Sequence, residues 1–424
     1  MLEGKKIALS DSYMKISSAI LYSMSISIFF LYILKQIIDI WFRDYSYAII
    51  ATLLFLVLII FIVSQKFKIS KTLNIYTLIF ILIILISFLF KKEYNIGYVE
   101  GLFIYFIQPV ILVFAFQNLT YKQSLHLCWL ISRAVLISFV GMIAYYMYLF
   151  YGIGYWFQDP GEEHALFELT NVGDTLGIRN ISIYGNSLVA AGIGLVHLSA
   201  TLIYAEIKKD KFSHVCIILA FIFIFLTMSR RAEVPAVIIV ALYIFRSEIK
   251  IRNFIFLASA ILIAYVAFFD QSASFVFDRF FSTFSMSSVS DGNRINASYN
   301  GILHALDQPF GTGFGTLSSI GKTVENINDA KGFLGVSESF IIMFIGETGI
   351  VFLPCWVLLL FLIYRNSNEF TRYYLLLPFL IESIYGLTLA NPTSNYFYFL
   401  LFMAASKLTC ERKPDSLLYA PKKL

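Results

Sequence analysis

Five arginines stand close to the ends of long apolar runs: Arg179, Arg230, Arg231, Arg279 and Arg294. A guanidinium in such a place is costly unless it snorkels to the interface or meets an anion. Arg230 and Arg231 are adjacent and interrupt the otherwise apolar stretch FIFIFLTMSRRAEVPAVIIV. Pro235 then falls in the first turn of the next apolar run, where its missing N–H is tolerated. Arg279 and Arg294 precede a short helical pattern that ends at Pro309, and the glycine-dense turn Gly311-Thr-Gly-Phe-Gly315 follows. Those glycines either let backbone approach a ligand closely or simply make the turn after a proline. His164 stands beside Glu162 and Glu163 and would serve as a base or a metal ligand, but two ligands without a third do not make a metal site.

Other chemistries are missing from the sequence. There is no GxxxxGK[ST] phosphate loop, no HExxH, no GxSxG and no CxxC. Cys128, Cys216, Cys355 and Cys410 are scattered and fit small apolar fillers. GTGFG lacks the strand-to-helix setting of a dinucleotide site.

The elements that must position these residues follow from composition. The chain has 424 residues, 59% hydrophobic and 14% charged. Soluble domains carry about 25% charged residues, so the expected class is an all-α integral membrane protein. About twelve apolar runs have the length of transmembrane helices. Among them are His126–Tyr151, Ile181–Ala205, Ser213–Met228, Ala232–Phe245, Ser339–Tyr364 and Tyr373–Ala390. With both termini in the cytoplasm, twenty of the 32 Lys and Arg residues fall on the cytoplasmic side and eleven opposite, with Arg133 inside a span. The positive-inside rule favours that orientation. The whole chain, 1–424, then reads as a single polytopic domain. Two long loops face outward: an acidic one at 152–180, and a larger one at 270–338 between the ninth and tenth spans. Small residues in ISIYGNSLVAAGIG, after Arg179, suit close helix packing.

Four stretches carry a resemblance to a family: RNISIYGNSLVA (Arg179–Ala190), LTMSRRA (Leu226–Ala232), NRINASYNGILHALDQPFGTGFGT (Asn293–Thr316) and SESFIIMFIGETGI (Ser337–Ile350). In order and in outward placement they resemble the O-antigen polymerase and O-antigen ligase family of polytopic glycan transferases. They lie in the second half of the chain; the first five spans match in hydropathy alone. Ligases of the family usually carry a histidine where this chain reads Ser337-Glu338-Ser339, and that departure points toward the polymerase.

The resemblance implies a GT-C-like helical membrane fold in the bacterial inner membrane, with its active face on the periplasmic side. It implies a polymerase that joins undecaprenyl-pyrophosphate-linked oligosaccharide repeat units into O-antigen or capsule. Its partners would be a lipid-linked donor and acceptor, the membrane lipid itself and a chain-length regulator, with no nucleic acid. Arg179, Arg230 and Arg231, with Gly313 and Gly315, would bind the pyrophosphate. Arg279 and Arg294 would stabilise its charge as it leaves, since guanidinium donates bidentately to phosphate and stays charged. Glu338 and His304 are candidates for the base, Glu338 also reading as a helix-start charge and His304 as a packed polar residue. Glu347, inside the next helix, would pair an arginine there. No DxD cluster stands in the outward loops, so the transfer is expected to need neither metal nor cofactor. Two alternatives stay open: a ligase passing polymer to another acceptor, and a flippase for lipid-linked oligosaccharide. Transporters often show two related halves, and none are visible in this sequence.

Overall fold

The computed structural model describes residues 119–151, 169–172, 175–178, 180–184, 187–246, 305–312 and 345–385, with Tyr299, 302–303 and isolated positions elsewhere. Among the described residues the architecture is helical, with one small exception. Within the loop 152–180, Leu169–Val172 (β1) and Thr175–Ile178 (β2) pair antiparallel, with Leu169 opposite Ile178 and Val172 opposite Thr175.

Four helices make the centre. They are α1 (Tyr121–Tyr151), α2 (Ser187–Lys208), α3 (Lys211–Leu226) and α4 (Arg230–Arg246). Two of them, α1 and α2, are long and apolar enough to cross a membrane. The middle helix, α2, is apolar on nearly all sides and almost wholly buried, packing against α1, α3 and α4. A helix hydrophobic all round belongs in an interior. Gly194 lets α3 come close: a Cβ there would lie 2.8 Å from Ile224 Cγ1. The small residues after Arg179 do what their sizes suggest.

The connections are short because single residues turn left-handed. Lys209 has φ 50° between α2 and α3, and Met228 has φ 51° between α3 and α4. Asp210 caps α3, accepting from Phe212 N–H at 3.3 Å. Successive helices therefore run antiparallel, and the bundle has two ends. One end holds Lys209, Asp210 and Arg246; the other holds Asn180, Leu226 and Arg230.

Helices α1 and α4 start ahead of their apolar segments, whereas α2 begins inside Ile181–Ala205, behind the turn Ser182–Tyr184, and α3 ends short of Met228. Residues Ala232–Phe245 form only the middle of α4, which starts at Arg230. Arginine propagates a helix well, so hydropathy underestimates the element. Pro235 therefore stands in the second turn and not the first; it removes the N–H that would pair with the Arg231 carbonyl. Along α1, the exposed positions Lys122 and His126 precede Arg133, whereas Leu136, Ile137, Val140, Ile143 and Met147 form an exposed apolar stripe after it. Lipid suits that stripe, which begins well inside the segment His126–Tyr151.

The run Ser339–Tyr364 is not one helix. Residues 345–348 are helical, Gly349 breaks the helix at φ 95°, and a 3₁₀ turn, Ile350–Phe352, leads into α5 (Leu353–Asn366). The segment Tyr373–Ala390 is also irregular at its start. A helical turn, Glu369–Thr371, passes through a π turn, Arg372–Leu376, into α6 (Leu377–Tyr385).

Candidate functional site

Asn180, the residue after Arg179, donates its backbone N–H to Leu226 O at 2.9 Å. Leu226 is the last residue of α3, four before Arg230. The structure therefore joins two of the four family-like stretches, RNISIYGN and LTMSRRA, at one end of the bundle. Asn180 is fully buried, and its Oδ1 accepts from Ser182 N–H at 2.9 Å. That bond fixes the amide orientation and leaves Nδ2 as the donor. Nδ2 is buried and has no acceptor among the described residues. Buried donors are rarely left without a partner in folded proteins.

A polar chain anchors this corner to the core. Ser182 sits at φ 48° in a 3₁₀ turn, Ser182–Tyr184, and its Oγ donates to Ser138 O at 2.6 Å. The turn lies so close to α1 that a Cβ on Gly141 would be 2.7 Å from Ser182 Oγ. His197 Nδ1 lies 2.7 Å from Ile131 O, which can only accept, so Nδ1 carries the proton. Nε2 then accepts from Ser138 O–H at 3.0 Å, and Ser138 Oγ takes the Tyr184 hydroxyl proton at 2.5 Å. His197, Ser138 and Tyr184 are buried. This closed network orders the turn that carries Asn180, and it is a positioning device. Its one sequence signal is an imidazole in the middle of AAGIGLVHLSATL.

Arg230 and Arg231 form the first two residues of α4. The N-terminus of a helix carries positive partial charge, so arginines are unfavourable residue types for its first two positions. Glu233, in the same first turn and buried, offsets part of that charge. It is the only charged residue in the run Ala232–Phe245. The N–H groups of Ala232 and Glu233 already donate to Ser229 O at 3.0 and 3.1 Å, so what this helix start offers an anion is its positive end and two arginines in sequence.

The other two family-like stretches also meet. The turn at Pro309–Thr312 docks on the break at Gly349. Thr312 N–H donates to Gly346 O at 3.1 Å, and its hydroxyl reaches the same oxygen at 3.3 Å. Val351 N–H donates to Pro309 O at 3.3 Å. The docked turn thus takes hydrogen bonds that an unbroken helix would make internally. Gly311 (φ 76°) and Gly349 face each other's backbone. A Cβ on Gly311 would strike Glu347 O, and one on Gly349 would strike Pro309 O. The freedom ascribed to these glycines is used here for protein against protein. Glu347 and Thr348 are buried at the junction.

Arg179, Arg279, Arg294, His304, Gly313, Gly315 and Glu338 lie outside the described residues. For Arg230 and Arg231 the backbone is described. Among the described residues no group of three or more His, Cys, Asp and Glu could hold a metal ion. No family model, curated protein or solved structure matches this chain.

Proposed function

We propose that the chain is a polytopic membrane polymerase that joins undecaprenyl-pyrophosphate-linked oligosaccharide repeat units on the outer face of the bacterial inner membrane. The observation that carries this reading is the start of α4. Two arginines open a helix at its positive end, four residues from the carbonyl on which Asn180 docks. Asn180 Nδ2, buried and without an acceptor among the described residues, adds a donor at the same end of the bundle. An electropositive corner at a membrane boundary fits a diphosphate headgroup on a lipid.

In the reaction, a hydroxyl of the acceptor's terminal sugar attacks the anomeric carbon of the growing chain. The bond from that carbon to the pyrophosphate oxygen breaks, and undecaprenyl pyrophosphate leaves with the electron pair. The hydroxyl proton passes to a base, for which Glu338 and His304 are the candidates. Arg230 and Arg231, with Arg179, Arg279 and Arg294, would hold the diphosphate and offset the charge that builds on it. A preorganised donor of this kind contributes about 10²–10³ in rate.

The test compares surface polysaccharide from cells carrying Arg230→Ala with Arg231→Ala, and separately Arg279→Ala or Arg294→Ala. Each variant should reach the membrane at normal level, yet long polymer should fall about 10²-fold while single repeats persist. A ladder of normal length from all of them would overturn the reading. Repeats trapped on the cytoplasmic leaflet would identify a flippase. Polymer that forms but stays on its lipid carrier would identify a ligase.

A further inference from the structure

The described part of the loop 270–338 carries an apolar face that the pyrophosphate site does not use. Tyr299, 302–303 and 305–307 are helical, and the helix gives way to a turn at Gln308–Phe310. Tyr299, Ile302, Leu303 and Leu306 recur at i, i+3, i+4 and i+7 and are exposed by 60%, 47%, 41% and 56%. Phe310, in the turn that follows, is 39% exposed. Ala305, on the other side of the helix, is buried against the protein. Asp307 is exposed and lies about 80° round from the centre of the stripe. So many large apolar side chains on one face mark a surface that something other than water covers.

The attachment of this segment identifies the cover. The turn is hydrogen-bonded to Gly346 and Val351, at the start of α5. From there α5 carries an exposed stripe of its own: Val351, Pro354, Val357, Leu358 and Phe361. The turn that follows the first stripe is joined to the start of the second where Pro309 O accepts from Val351 N–H at 3.3 Å. We propose that the helical segment around 299–307 is an interfacial helix, lying in the outer leaflet with Tyr299, Ile302, Leu303 and Leu306 among the lipid chains. A helix with one apolar face and a polar rim takes that position, and a tyrosine ring suits the headgroup level. The inference needs the chain to span a membrane; it does not need the polymerase reading.

The test uses the full chain in vesicles of phosphatidylethanolamine and phosphatidylglycerol. Nitroxide labels go on Leu303→Cys, Leu306→Cys, Asp307→Cys and, as a lipid-facing reference on α1, Val140→Cys. Cys355 and Cys410 are replaced by Ser, and the buried Cys128 and Cys216 stay. Labels at Leu303, Leu306 and Val140 should meet dissolved oxygen several-fold more readily than a water-soluble nickel chelate, and the label at Asp307 should show the reverse. If Leu303 and Leu306 behave like Asp307, the segment lies in water and the inference is lost. If both are shielded from oxygen and chelate alike, a protein surface covers the face and the inference is equally lost. A reference at Val140 that also reads as aqueous would instead sink the membrane reading itself.

Discussion

Basic residues close three helices at one end of the molecule and open one at the other. Lys208, Arg246 and Arg365 lie in the last turns of α2, α4 and α5, where the dipole favours them. Acidic partners stand at that end too. Arg133 is paired with Asp210 and also donates to Cys216 Sγ at 3.1 Å; Arg246 pairs with Glu369 at 2.7 Å. Tyr374 donates to Glu206 at 3.0 Å in the same region. The opposite end reverses these choices. There, two arginines open α4, and the bond from Asn180 N–H to Leu226 O and the close approach of Gly141 to Ser182 hold the chain. An end whose charges agree with its helices needs nothing further. An end whose charges conflict with them is where a ligand is expected. The two ends should therefore respond differently to substitution.

The largest expected effect is at the break before α5. Gly349→Ala would put a Cβ into Pro309 O from a backbone at φ 95°. Strain and overlap together should cost about 3 kcal/mol or more. Thermal unfolding of the purified protein in detergent measures it, with Val357→Ala, on an exposed position of α5, as a control near zero. An unfolding midpoint for Gly349→Ala within a degree of the parent would show that the docked turn is not held as described.

Gly349 also shows what the sequence hides. In SFIIMFIGETGIVFLPCWVLLL hydropathy is continuous, so the run reads as one span. The break depends on a turn some forty residues earlier that supplies Thr312 N–H and Pro309 O, and no local pattern reports it. The stop at Pro309 was legible, because proline ends a helix by its own covalent geometry. The pairing of Asn180 with Leu226 was not legible either, although the stretches that meet there were. Motifs name the pieces of a site, but tertiary contacts decide which pieces touch. Buried polar links such as Ser138 to His197 are harder still to read, since one hydroxyl in an apolar run usually signals nothing.

A smaller effect is expected from Asp210. Partial burial raises its pKa, but bonds from Arg133, Ser213 and the N–H of Phe212 outweigh it, and the carboxyl is held below its ordinary value of 3.8. A depressed folded-state pKa contributes stability above 3.8 that is lost as pH falls through the lowered value. Asp210→Asn should lose about 1–2 kcal/mol at neutral pH. It should also flatten the fall of the unfolding midpoint between pH 5 and the acid limit, to roughly the extent that this one carboxyl contributes. On the proposed polymerase reading, polymer length should stay unchanged, because none of the candidate site residues lies at this end. A parent and variant whose midpoints fall in parallel on acidification would remove Asp210 from the account.

The smallest effect is expected from the pair of Arg246 and Glu369, whose side chains are 29% and 50% exposed. Pairs this open contribute about 0.2–1 kcal/mol and weaken in salt. Arg246 also stacks over the Tyr373 ring at 4.9 Å and lies 5.8 Å from the Phe370 ring, and both contacts survive when the carboxylate goes. Glu369→Gln should therefore cost less than Arg246→Ala in a thermal melt, and salt should shrink most of the first cost but only the ion-pair share of the second. Neither change should shorten the polymer, whereas Arg230→Ala with Arg231→Ala should do so without lowering the midpoint. If Glu369→Gln stopped polymer growth while the arginine pair tolerated removal, the assignment of the two ends would be inverted, and the anion site would have to be sought beside Asp210.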